Sequence, residues 1–124
     1  KGIVELLDLF PSLVHMAGLP MPEGLDGVSF APLLANTSSE GKPGAYCYWG
    51  NGRTVRTANW RFIERSDGTH ELYRHSVQSD GQDTELEWFS VHEQPRYRSL
   101  VKEMHAMLVR TFKVARVTAI CCKG

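Results

Sequence analysis

The sequence predicts an α+β fold: a small antiparallel sheet of about four strands, a long C-terminal helix packed on one face of it, and short N-terminal helices. Two observations carry this reading. Between residues 45 and 73, short runs alternate apolar and polar side chains and are separated by Gly-, Asn- and Asp-containing turns, the pattern of half-buried strands. From Gln94 onward, Tyr97, Leu100, Val101, Met104, Met107, Leu108 and Phe112 recur at helical spacing, with Arg98, Lys102, Glu103 and Arg110 on the other side. Strands followed by a helix is the order of a sheet covered on one face.

Each element has its own signal. Gly2–Leu6 is short and apolar, a strand or the start of a helix. Asp8 offers a carboxylate N-cap, Leu9, Phe10 and Pro11 suit a first helical turn, and Gly18 suits the stop after Ala17. Pro20–Gly24 is loop by composition, and Ser29 is placed to cap a short helix reaching Leu34 with Pro32 in its first turn. Asn36–Gly44 reads as an exposed loop. The expected strands are Ala45–Trp49, Arg53–Thr57, Trp60–Glu64 and Glu71–Tyr73, joined by Gly50-Asn51-Gly52, Ala58-Asn59 and Ser66-Asp67-Gly68. Gln78–Gln82 is a further loop.

The 124 residues suit one domain able to bury roughly two-thirds of its unfolded surface. Lys plus Arg and Asp plus Glu both number 14, which gives no electrostatic footprint for nucleic acid or an anionic membrane, and the apolar runs are too short to span a bilayer. An anionic ligand would have to be met by local cations. The chain opens on Lys1-Gly2 without an initiator Met or a signal peptide, as a trimmed product or a fragment would. Asn36-Thr37-Ser38 matches a glycosylation sequon. Of the cysteines, Cys47 lies in an apolar run and is expected to be a small buried side chain, and Cys121-Cys122 has no zinc-type spacing.

No nucleophile elbow, phosphate loop, zinc-protease helix or dinucleotide loop occurs. The five histidines are scattered. His15 and His105 fall on expected helices in ordinary surface or core roles, and His70 and His75 flank one strand on opposite faces, a poor metal pair. The one functional candidate is Tyr46–Arg56, where Trp49, Asn51 and Arg53 gather at a Gly-rich turn. Trp49 offers a flat wall for a sugar ring and Arg53 a fork for an anion. The competing reading makes Trp49, Trp60 and Trp88 packing aromatics and pairs Arg53 and Arg56 with carboxylates.

Two stretches resemble the sulfatase family. Val4–Leu19 (VELLDLFPSLVHMAGL) is similar to the family's V-x-L-x-D-[IL]-x-P-[TS]-L-x-x-x-A-G segment, followed by the family-like loop Pro22–Leu34. Arg53–Thr57, Trp60–Ile63 and Glu71–Tyr73 resemble the R-T-x-x-[WY]-[RK]-[YFL]-I … E-L-Y-D signature of the C-terminal subdomain, with Arg74 in place of the usual Asp and Ser79–Gln82 in place of D-P-x-E. Glu87-Trp88 and Tyr48–Gly52 lean toward the iduronate-2-sulfatase-like group.

The resemblance implies that residues 1–35 are the tail end of a catalytic domain and residues 45–112 the small sheet-plus-helix subdomain, with Lys113–Gly124 an unmatched tail. It also implies sulfate-ester hydrolysis by a formylglycine with a calcium ion, on sulfated glycosaminoglycan-type sugars. The nucleophile and metal ligands precede this segment in the family, so no catalytic or metal residue is assigned to this chain, which by itself is expected to be inactive. Its expected partners are the N-terminal catalytic domain of the same enzyme and a sulfated carbohydrate. Family members are commonly periplasmic, secreted or lysosomal. Two rivals are a related phosphodiesterase or phosphonate hydrolase of the alkaline phosphatase superfamily, and a stand-alone carbohydrate-binding domain.

Overall fold

The computed structural model describes residues 2–75, 87 and 89–121, with side chains as far as Thr111. The chain divides into two compact units, Lys1–Ala45 and Tyr46–Gly124. No helix among the described residues is long and apolar enough to cross a membrane.

In the first unit, strand character in the opening segment is limited to a single bridge between Ile3 and Lys42. A 3-10 turn, Leu6–Asp8, leads directly into helix α1, Leu9–Met16. The helix stops where expected. Gly18 takes φ +66°, and the amides of Gly18 and Leu19 reach back to the carbonyls of His15 and Val14, closing the end with the left-handed residue that glycine adopts without penalty.

The start of α1 differs from expectation. Asp8 precedes it, but its backbone is already helical and its side chain caps nothing in α1. Because the 3-10 turn runs straight into the helix, no extended residue stands there from which a carboxylate could reach forward. The side chain turns elsewhere, as described below.

Helix α2, Ala31–Ala35, has Pro32 in its first turn, and Phe30 rather than Ser29 is its boundary residue. The Ser29 hydroxyl still accepts the Ala31 amide at 3.2 Å. The loop Asn36–Gly44 is mostly exposed, but Lys42 is half-buried and Gly44 is buried.

The second unit is the expected sheet and helix. Strands β1 (Ala45–Trp49), β2 (Gly52–Arg56), β3 (Trp60–Arg65) and β4 (His70–Arg74) form one antiparallel sheet in sequence order. Tight turns set the register. The Thr57 amide and Trp60 carbonyl close the β2–β3 turn, and Gly68, at φ +84°, sits in the β3–β4 turn. Val55 therefore pairs with Phe62 and Phe62 with Leu72.

These three side chains share one face, and α3 (Arg98–Cys121), entered through a 3-10 turn at Pro95–Tyr97, lays Met104 and Leu108 on them. Val55, Phe62, Leu72 and Leu108 are wholly buried. Trp60 packs edge-on against Tyr97, with ring centroids 5.1 Å apart, so it joins sheet to helix. Backbone helix continues past Phe112 to Cys121, further than the apolar spacing indicates.

Cys47 departs from expectation: it is exposed. It lies on the edge strand β1, whose alternation gives the core face to Tyr46, so its neighbour Cys47 points the other way. Trp88, Gln78–Gln82 and residues 122–124 lie outside the described residues.

Candidate functional site at the β1–β2 turn

Trp49 ends β1 and Gly52 opens β2. A Cβ built on Gly52 would lie 2.5 Å from the Trp49 indole, so the ring covers the Gly52 backbone and any larger residue there would have to displace it. Trp49 is half-buried in consequence. Asn51 is exposed at the tip, and its carbonyl accepts the Ser66 amide at 2.8 Å, tying this turn to the β3–β4 turn.

Arg53 donates through Nε to Glu64 Oε2 at 2.6 Å, with 28% of its side chain exposed. Strand alternation puts Arg53 on the same face as Val55, toward α3, and puts Gly52 with its covering Trp49 on the other. The turn thus brings Trp49, Asn51 and Arg53 into one hairpin, with the aromatic ring and the guanidinium on opposite faces of the sheet.

The register extends this row. Arg53 lies opposite Glu64, and Glu64 opposite His70, one polar row beside the apolar row of Val55, Phe62 and Leu72. Helix α3 adds His105, whose Nδ1 is 3.4 Å from Glu64 Oε1, while His70 Nε2 is 3.6 Å from the same oxygen. Burial alone would raise the Glu64 carboxyl. The Arg53 hydrogen bond and charge, helped by His105 and His70, outweigh it and hold the group below the usual carboxylate range.

His70 and His75 do point to opposite faces. His75, buried at the far end of β4, bonds Glu87 at 2.8 Å, and Glu87 also pairs with Arg61. On the outer face, Glu71 takes the Tyr73 hydroxyl at 2.7 Å and Arg65 at 2.7 Å. Burial, then the Glu71 bond, push the Tyr73 phenol up to about 12.

The first unit has a polar centre that sequence reasoning passed over. Asp8, 1% exposed, accepts the Glu5 amide at 2.9 Å, the Val28 amide at 2.8 Å and Lys42 Nζ at 2.6 Å, and Lys42 also pairs with Glu5. Burial opposes the charge on Asp8. The Lys42 bond and the two amides overcome it, so its carboxyl lies below the ordinary value. Ser12 donates to the Asp8 carbonyl at 2.6 Å and accepts the Phe30 amide at 2.9 Å. Together these bonds fix the 22–30 loop on α1. Partners 20 and 34 residues away from Asp8 leave no local trace, which is why Asp8 reads as a helix cap and Lys42 as a surface lysine.

Around Asp8 the packing is inverted. Leu6, Leu9, Phe10, Leu13, Met16 and Leu19 are all exposed, Leu6 by 86%.

Comparisons with known proteins find similarity over part or most of the chain. Arylsulfatase K of Rattus norvegicus is 34% identical over 81 residues, covering 55% of this chain and 14% of that protein. A sulfatase of Formosa agariphila is 25% identical over 111 residues, covering 87% of this chain and 20% of that protein. Both of these relatives are sulfatases, matched over part of the chain. No family model matches the chain.

Among solved structures, a protein in complex with its substrate D-glucosamine-2-N,6-O-disulfate shares the fold at a TM-score of 0.65 and 20% identity, over 86% of this chain and 23% of that one. Phosphonate monoester hydrolase of Agrobacterium radiobacter does so at 0.70 and 15% identity, over 91% and 25%. The chain therefore spans between about a seventh and a quarter of the proteins it matches.

Proposed function

We propose that this chain is the C-terminal portion of a sulfatase, working with a catalytic domain on the same polypeptide. Residues 1–35 would be the tail of that domain and residues 45–112 the substrate-side subdomain. The observation that carries this reading is the sequence similarity to sulfatases, reaching 87% of this chain in one relative, within a span that is a small share of each relative. The exposed apolar side chains around α1 support it, because a surface of this kind asks for a covering partner, and the catalytic domain is that partner.

The chemistry would be hydrolysis of a sulfate ester. In the complete enzyme a formylglycine would attack sulfur and a calcium ion would stabilise the developing charge. Their ligands would stand on the preceding segment, so this chain would position substrate and not cleave it. The purified chain, assayed with an aryl sulfate and a sulfated uronate disaccharide in the presence of calcium, is expected to give no turnover above buffer. Turnover would overturn the reading.

The substrate class we infer is a sulfated sugar of the glycosaminoglycan type, in the manner of iduronate-2-sulfatases. The protein solved with D-glucosamine-2-N,6-O-disulfate supports a sulfated sugar. Trp49, Asn51 and Arg53 would meet it around the tip of this hairpin, the indole from one face of the sheet and the guanidinium from the other. In the full-length protein, Arg53→Ala is expected to weaken kcat/KM for a carboxylated sugar by about 2–3 kcal/mol and to leave a neutral aryl sulfate nearly unchanged. Equal loss on both substrates would make Arg53 a structural residue and not a substrate contact.

A second reading, a phosphonate or phosphate diester hydrolase, is favoured by the fold shared with the Agrobacterium enzyme. The sequence relatives weigh toward sulfate. Comparing sulfate and phosphonate esters on the full-length protein separates the two.

A further inference from the structure

We infer that Glu64, His70 and His105 form a binding site for a divalent transition-metal ion of the zinc class, clipping α3 to the end of the sheet. Three elements supply one ligand each: β3, β4 and α3. One donor atom from each residue lies within 4.8 Å of the other two, and Glu64 Oε1 is 3.6 Å from His70 Nε2 and 3.4 Å from His105 Nδ1. Two of the separations, 3.4 Å and 3.6 Å, are close to the edge of a tetrahedron whose bonds to zinc are about 2.0–2.1 Å long, an edge of about 3.4 Å. One carboxylate and two imidazoles are a donor set suited to such an ion and unsuited to calcium or magnesium, which take oxygen.

A second observation points the same way. His105 Nδ1 is buried and finds no hydrogen-bond partner among the described residues, although its ring is 41% exposed elsewhere. Its nearest polar neighbour is Glu64 Oε1 at 3.4 Å, a contact without hydrogen-bond geometry, and a bound ion would satisfy both atoms. Coordination through Nδ1 leaves the His105 Nε2 proton on the outer side.

The carboxylate is already aimed. Arg53 holds Glu64 Oε2 at 2.6 Å, which turns Oε1 toward the histidines and acts as the outer support that ligating carboxylates commonly have. The side chains of Glu64, His70 and His105 are 15%, 34% and 41% exposed, so ion and solvent can reach the site and a fourth position can hold water. A local sequence scan misses the set because His105 lies 35 residues beyond His70 and only the fold of α3 brings it back.

The test is a titration of the tag-free full chain, thiols alkylated, with zinc chloride near neutral pH, followed by calorimetry. One equivalent binding at micromolar strength or tighter is expected. His70→Gln and His105→Gln should each weaken it by about tenfold or more, with His15→Gln as the unaffected control. Unchanged affinity in both variants, or no binding to the parent chain, overturns the site.

A second measurement does not depend on the variants folding. Cobalt(II) added to the parent chain should shift the ring-proton signals of His70 and His105 first and give the visible absorption of a low-coordinate site. Signals that move first on His15, His75 or His92 would place the ion elsewhere and also overturn the proposal.

Discussion

The two units solve the same problem in opposite ways. The second buries an apolar row, Val55, Phe62 and Leu72 beneath Met104 and Leu108, and leaves its ion pairs around that row. The first buries a carboxylate and a hydroxyl, Asp8 and Ser12, and turns most of its leucines outward. An apolar core is non-directional and tolerates approximate shapes, whereas a hub of charge-assisted bonds specifies geometry but removes little apolar surface from water. The second unit therefore carries an apolar core of its own, whereas the described residues of the first rely on directional polar bonds and leave apolar side chains exposed.

The largest effect that would sharpen this contrast is in the apolar core. Phe62→Ala is expected to destabilise the second unit by about 3–5 kcal/mol, because the ring is wholly buried in the centre of the sheet–helix contact. Urea unfolding followed by Trp60 fluorescence measures it. A loss under 1 kcal/mol would mean that the helix does not rest on the sheet (a bound far below the usual cost of a buried aromatic).

Next comes the polar hub. Asp8→Ala removes three acceptor contacts and leaves Lys42 with Glu5 as its remaining carboxylate, so a loss of about 3 kcal/mol is expected, confined to the first unit. Amide exchange at Val28 should rise sharply while that of Phe62 does not. Equal acceleration of both would break the comparison, since the units would then melt together.

The pH dependence is smaller and has a defined sign. Asp8 is held below its ordinary 3.8, so its contribution is present above that pH and is lost as pH falls through the lower folded value. Lys42 is moved the other way. Burial lowers it, but Asp8 and Glu5 raise it above 10.5, so its contribution is complete below 10.5 and lost as pH climbs through the raised value. Urea midpoints for the first unit should therefore fall at both ends, and Asp8→Asn should flatten the acid limb. An acid limb of undiminished height in that variant would assign it to another group.

Smallest in stability is the outward face. Phe10→Gln and Leu13→Gln, at 54% and 60% exposure, should change stability by no more than about 0.5 kcal/mol. They should still reduce self-association of the chain in sedimentation. If they unfold the first unit instead, its leucines are a core after all.

What was legible in the sequence follows the range of the forces involved. The four strands fall within a residue or two of where alternation and Gly, Asn and Asp turns place them, since both signals are local. Gly18 as a helix stop is equally local. Asp8 was misassigned because a cap and a distant anchor look alike until the loop carrying Val28 and the lysine at 42 have folded back. Cys47 was misassigned because an apolar run does not say which strand will be the edge. At the turn, Trp49 and Arg53 were legible as neighbours in the chain. Their separation to two faces was not, nor was the union of His70 with His105.

The indole of Trp49 resting on Gly52 constrains how this hairpin can change. With Trp49 in place, even an added methyl at position 52 meets ring atoms at 2.5, 2.9 and 3.0 Å, so Gly52→Ala by itself should disturb the turn. Once Trp49 has been replaced by a smaller residue, the same alanine has room. The two positions are therefore coupled: a side chain at position 52 must displace the indole, and it is accommodated more readily where position 49 is small.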